Sequence, residues 1–120
     1  MLSLSDFTLF QAVLEVRYDH AYSLWDRSGA LWAKANRVWT NLKAGQTQPS
    51  VTTFLLDNQY ELSVSLERSH IIDMKPSSSL KDFMERANDF INLVAQSLDI
   101  EYFTRIGFRL AYVKTCFALE

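Results

Sequence analysis

The sequence predicts an α+β fold: a two-layer, ferredoxin-like antiparallel sheet of four or five strands with two helices on one face. Three observations carry this expectation. Residues 8–18 alternate, with Phe10, Ala12, Leu14, Val16 and Tyr18 on one side and Gln11, Glu15 and Arg17 on the other, the period of a strand with one buried face. Segments 21–43 and 80–98 instead space their apolar residues three and four apart, the period of an amphipathic helix. The elements then run β-α-β-β-(β)-α-β, two helix–strand crossovers separated by a hairpin, which is the split βαβ arrangement.

Each element has its own local signals. Asp19 offers an N-cap to the first helix, whose stripe runs through Leu24, Trp25, Leu31, Trp32, Ala35, Val38, Trp39 and Leu42, with Gly45 as its stop. The three tryptophans recur at heptad spacing, which marks a core stripe with apolar girth to spare for a partner. Residues 46–50 form a loop, and 51–56 (VTTFLL) is rich in strand-forming types, with Asp57-Asn58 as a turn. Alternation resumes from Tyr60. The segment His70–Lys75 is either a further strand or the same strand continued after a bulge. Pro76 and three serines interrupt the sheet, and Ser79 with Asp82 has capping-box spacing. The second helix carries Leu80, Phe83, Met84, Ala87, Phe90, Ile91, Val94 and Leu98. In the closing strand, 102–117, Ile106, Phe108, Leu110 and Tyr112 share one face and Arg105, Gly107, Arg109 and Ala111 the other. Topology rules place the first and last strands side by side.

The 120 residues suit one domain, 1–120, and 48% hydrophobic with 22% charged types excludes disorder. With 12 basic against 14 acidic residues the net charge is −2, so no global field attracts phosphates. No apolar run approaches the roughly 20 residues of a membrane span. Met1–Phe10 lacks the pattern of a secretory leader, and a cytoplasmic location is expected. Cys116 is the only cysteine, which rules out an intramolecular disulfide and reads as a small buried or half-exposed thiol. His20 and His70 stand far apart without metal-ligand spacing. With only Gly29, Gly45 and Gly107, no phosphate-binding loop or hydrolase elbow can be built. No catalytic residue, metal or cofactor is assigned.

Glu15-Val16-Arg17-Tyr18, the hairpin 60–76 with Glu67-Arg68, and Arg105-Ile106-Gly107-Phe108-Arg109 occur in that order. Together they resemble the N-terminal half of a sporadically distributed family of uncharacterised bacterial and phage-associated proteins. That family has an E-[VI]-R-[FY] opening strand and an R-[IV]-G-x-R closing strand, which here continues as Leu110-Ala111-Tyr112 in place of Tyr-Ile-Asn. Its members are about twice this length, so the resemblance implies either a cut piece or a naturally short relative. It carries over no active-site residues, and it hints at a role near mobile and defence genes.

Pairing of the first and last strands would bring Glu15, Arg17, Arg105 and Arg109 onto the sheet face away from the helices. They read either as a solvated charge ladder or as an arginine cluster that grips a carboxylate or phosphate. RNA-binding domains of this topology stack bases on that face. Here the third strand presents Glu61, Ser63, Ser65 and Glu67, so nucleic-acid binding is not expected. The expected function is a non-catalytic interaction module that uses the open sheet face or edge. Its partner would be a second copy (a homodimer) or a missing C-terminal half. The alternative is a small-molecule or peptide binder, an enzyme included, with a site between sheet and helices and His70 turned inward as its titratable group.

Overall fold

The structure, a computed structural model, describes residues 8–19, 21, 24–48, 50–76 and 80–113. The elements are β1 (Thr8–Arg17), α1 (Leu24–Val38), β2 (Leu42–Gln48), β3 (Val51–Leu56), β4 (Tyr60–Ser65), β5 (Arg68–Asp73), α2 (Leu80–Ser97) and β6 (Arg105–Val113). They build one open antiparallel sheet in the order β2-β3-β4-β5-β1-β6. The sheet thus has six strands, not four or five. The first and last strands are neighbours, as expected.

Strand parity sorts the residues into two faces. Phe54, Leu62, Ile71, Leu14 and Phe108 stand opposite one another in turn across β3, β4, β5, β1 and β6, forming an apolar row beneath the helices. Trp32 of α1 lies against Phe54 with ring centroids 5.4 Å apart, and Phe83 of α2 against Phe108 at 6.0 Å. Leu24, Leu31, Ala35, Phe83, Ala87, Phe90 and Val94 close the core from the helical side. Arg27 joins the helices by donating to the Ser97 carbonyl at 3.0 Å and to the Asp99 carboxylate at 2.7 Å. Its charge sits at the C-terminal end of α2, where the helix dipole is negative.

Several expectations need correction. The first helix ends at Val38, its last backbone bond running from the Trp39 N–H to the Ala35 carbonyl, and the chain turns through Thr40-Asn41 into β2. Leu42 keeps the helical spacing yet points into the core from a strand, where it pairs with Leu56. Gly45 is therefore no helix stop. It lies where the β2–β3 register shifts, and a Cβ there would meet the Thr53 carbonyl at 3.1 Å, so glycine permits the close approach of a bulged strand. Asp19 lies too far before Leu24 to cap α1.

The hairpin 60–73 resolves into two strands with Leu66-Glu67 between them. Asp57 and Asn58 form the tight turn expected of them, with φ of 55° and 54° and a Gln59 N–H to Leu56 carbonyl bond of 3.0 Å. Both types tolerate the left-handed region that a primed hairpin turn requires. The closing strand starts at Arg105 rather than at Tyr102, and the residues expected to extend it past Val113 lie outside what is described. His20, Cys116, the Ser79 cap and the Trp25 side chain lie outside what is described.

Candidate functional site

The face away from the helices carries the sheet's charge. Arg17 at the end of β1 stands directly opposite Arg68 of β5 on one side and Arg105 of β6 on the other. Three guanidinium-bearing residues therefore form one row across three adjacent strands, about 4.8 Å from strand to strand. Arg109 lies on the same face further along β6, opposite Val13. Glu15 faces His70 on β5 and Gly107 on β6, placing one carboxylate amid four arginines.

Glu15, Arg17, Arg105 and Arg109 thus share one face, as strand parity requires. The closest ion pair on this face runs along β1 itself. Glu15 accepts from Arg17 Nε of its own strand at 3.0 Å, and the residue directly across on β6 is a glycine. The Arg17 hydrogen bond holds the Glu15 carboxyl below its usual range against the opposing effect of burial; the charges of Arg17, Arg68 and His70 act in the same downward direction. Among the described residues, Arg68, Arg105 and Arg109 have no carboxylate within ion-pair distance.

Like charges placed directly opposite one another in a sheet are destabilising, so this row costs stability unless an anion covers it. The surface here has two shallow depressions, of about 340 and 380 Å³. The first lies along Glu15, Arg17, Arg105 and Arg109, and the second along Glu15, Arg68, His70, Ser63 and Arg109.

Arg68 is the residue that sequence reasoning missed. His70 was expected inward by continuing the alternation from Leu66. The Leu66-Glu67 turn resets the parity, so Ser69, Ile71 and Asp73 face the core while Arg68 and His70 face out. His70 Nε2 lies 3.4 Å from Glu61 Oε2 on this open face. Phe54, Leu62, Ile71, Phe83 and Phe90 are buried between sheet and helices, and His70 does not point in among them.

The opposite end of the molecule is acidic. Asp57, Asp82, Glu85 and Asp89 line a groove of about 550 Å³ beside α2, with Arg86 3.8 Å from Asp57 and over the Tyr60 ring at 5.8 Å. The net charge of −2 therefore conceals two separated regions of opposite sign. No cluster of three or more potential metal ligands converges among the described residues, and no described helix is long and apolar enough to cross a membrane. No family model, curated protein or solved structure matches this chain.

Proposed function

We propose that this chain is a non-catalytic interaction module whose open sheet face receives an acidic segment of a partner protein. One observation carries the reading: Arg68, Arg17 and Arg105 stand in register across three strands, with Arg109 beside them, and among the described residues only Glu15 is an ion-pair partner to any of them. Guanidinium groups bind carboxylates through two parallel hydrogen bonds, so a row of them suits a run of Asp and Glu side chains. A single-stranded nucleic acid needs aromatic rings to stack on. The open-face positions whose side chains are described on β4, β5, β1 and β6 hold Glu61, Ser63, Ser65, Arg68, His70, Ile72, Gln11, Val13, Glu15, Arg17, Arg105, Gly107, Arg109 and Ala111, with no Phe, Tyr or Trp among them. On the same footing we read the order β4-β5-β1-β6 as a ferredoxin-like unit that β2 and β3 extend at one edge.

The test uses an oligoglutamate peptide, with affinity measured by calorimetry at low ionic strength. The Arg105→Gln, Arg109→Gln double variant is expected to bind at least about tenfold more weakly, since hydrogen bonds to charged groups contribute about 1.5–3 kcal/mol each. Its melting temperature should stay near that of the parent chain, because both side chains are exposed and exposed changes shift stability by about 0.5 kcal/mol or less. Equal affinity in the double variant would refute the reading.

Glu15→Gln tests the same surface in the opposite direction. Glu15 competes internally for Arg17, so its neutralisation is expected to tighten peptide binding several-fold.

A further inference from the structure

The most unusual feature outside the arginine row is β6 itself. It is the outermost strand, paired only with β1 among the described elements, and it runs nine residues, Arg105–Val113, with no proline. An edge strand of this length is a template for pairing, and proteins usually blunt it with bulges, lysines or prolines. The other edge, β2, is interrupted by the register shift near Gly45 and carries Lys43. On the helical side of β6, Ile106 is 63% and Phe108 44% exposed, and Met84 of α2 is 48% exposed.

Gly107 adds an independent observation. Its φ is not positive, and a Cβ built on it would meet nothing nearer than the Glu15 carbonyl at 4.0 Å. The fold of one chain therefore has no need of glycine there. A glycine inside a strand weakens it and often marks a place where another chain or ligand comes close.

We infer that β6 is the seam of a two-fold homodimer, the β6 edges of two copies pairing antiparallel about Phe108. Residues opposed across an antiparallel pair share a face, so a two-fold axis must fall on a residue position. Centred on Gly107, the pairing sets Arg105 against Arg109 twice; centred on Arg109, it sets that arginine against itself. Centred on Leu110, it leaves Ile106, which is 63% exposed, without a partner within Arg105–Val113.

Centred on Phe108, each feature finds a counterpart. Phe108 meets Phe108, Ile106 meets Leu110, and Arg105 lies beside Ala111. Arg109 lies beside Gly107, which supplies the room. The apolar pairs then cover one another on the helical side, and no like charges oppose directly. The inference concerns the sheet's edge and stands independently of the acidic-partner reading of its face.

Light scattering on a size-exclusion column, from low micromolar to several hundred micromolar full chain, tests it. The parent chain is expected to pass from monomer to dimer. Ile106→Lys places a lysine on the edge and is expected to be monomeric throughout. Gly107→Val keeps the fold, since valine suits a strand and finds open space, yet it obstructs Arg109 of the second copy. Its dimer dissociation constant should rise at least about tenfold while its monomer melts no lower than the parent. A parent chain that is monomeric at every concentration overturns the inference, as does a dimer that both variants leave unchanged. Peptide binding at the open face is measured separately, so either outcome leaves that reading to its own test.

Discussion

Phe54→Ala is expected to lower the unfolding free energy by about 3–5 kcal/mol, the range for truncating a buried phenylalanine, and the melting temperature by roughly 10–20 °C. Phe54 is 1% exposed and lies under Trp32, so it is the point where α1 grips the far half of the sheet. Its opposite neighbour Leu62 belongs to the next strand, and a void there loosens helix and sheet together. The loss is a large part of the roughly 5–15 kcal/mol that a domain has in total. Denaturant titration with tryptophan fluorescence measures it directly. A change below about 1 kcal/mol would mean that Trp32 and Leu62 collapse into the space.

The second large effect sits at Tyr18. Its hydroxyl donates to the Ser65 carbonyl at 2.6 Å and shares a hydrogen bond with the Ser69 hydroxyl at 2.7 Å. It thereby fastens the end of β1 to the turn between β4 and β5, and Ser69 is itself buried. Tyr18→Phe leaves that hydroxyl and carbonyl short of a partner, a loss expected at about 1–3 kcal/mol.

A pH signature separates this from simple loss of packing. Burial raises the Tyr18 pKa to about 12 from an ordinary 10, and the bonds to Ser69 and Ser65 only partly offset it. The raised folded-state value means the contribution is complete below pH ~10 and is lost as pH rises towards 12, up to roughly 2–3 kcal/mol. The parent chain should therefore lose denaturant resistance across that window. Tyr18→Phe should lose less there, keeping the smaller share due to Tyr60, whose pKa is also raised, by burial and then by the Asp73 carboxylate. Parallel pH profiles would contradict the assignment.

The features legible in the sequence were those set by uninterrupted periodicity. β1 and β6 alternate without interruption over residues 11–17 and 105–111, clear of the register shift between Leu9 and Gln11, so the shared face of Glu15, Arg17, Arg105 and Arg109 follows from parity alone once the two strands pair. The second helix is legible for the same reason. Its buried face of Phe83, Ala87, Phe90 and Val94 follows the expected apolar stripe.

β2 was hidden because LKAGQTQ has few β-branched or aromatic residues, while Leu42 falls on the helical stripe of α1. Its strand state rests on pairing with β3, a tertiary effect that local propensity does not encode. Arg68 was hidden by a turn that resets parity. A signal did exist: Ser69, Ile71 and Asp73 alternate, but two of the three are polar. Ser69 is buried by virtue of Tyr18, and Asp73 by accepting from Gln59 Nε2 and the Lys75 N–H, each at 3.1 Å. A buried polar residue satisfied by a distant partner looks like surface in a one-dimensional reading.

The insertion of β1 between β5 and β6 has a consequence for the order of events during synthesis. β2, β3, β4 and β5 form a meander of short-range contacts that can assemble early, whereas β6 must return from the far end of the chain to reach β1. Contacts so distant in sequence carry the largest loop-closure cost and form late. The arginine row draws on β1, β5 and β6, so it does not exist on a partly made chain. An emerging polypeptide would display neither the full cationic face nor the β6 edge until β6 is in place. The row is thus a property of the paired β5-β1-β6 strands and of no single segment.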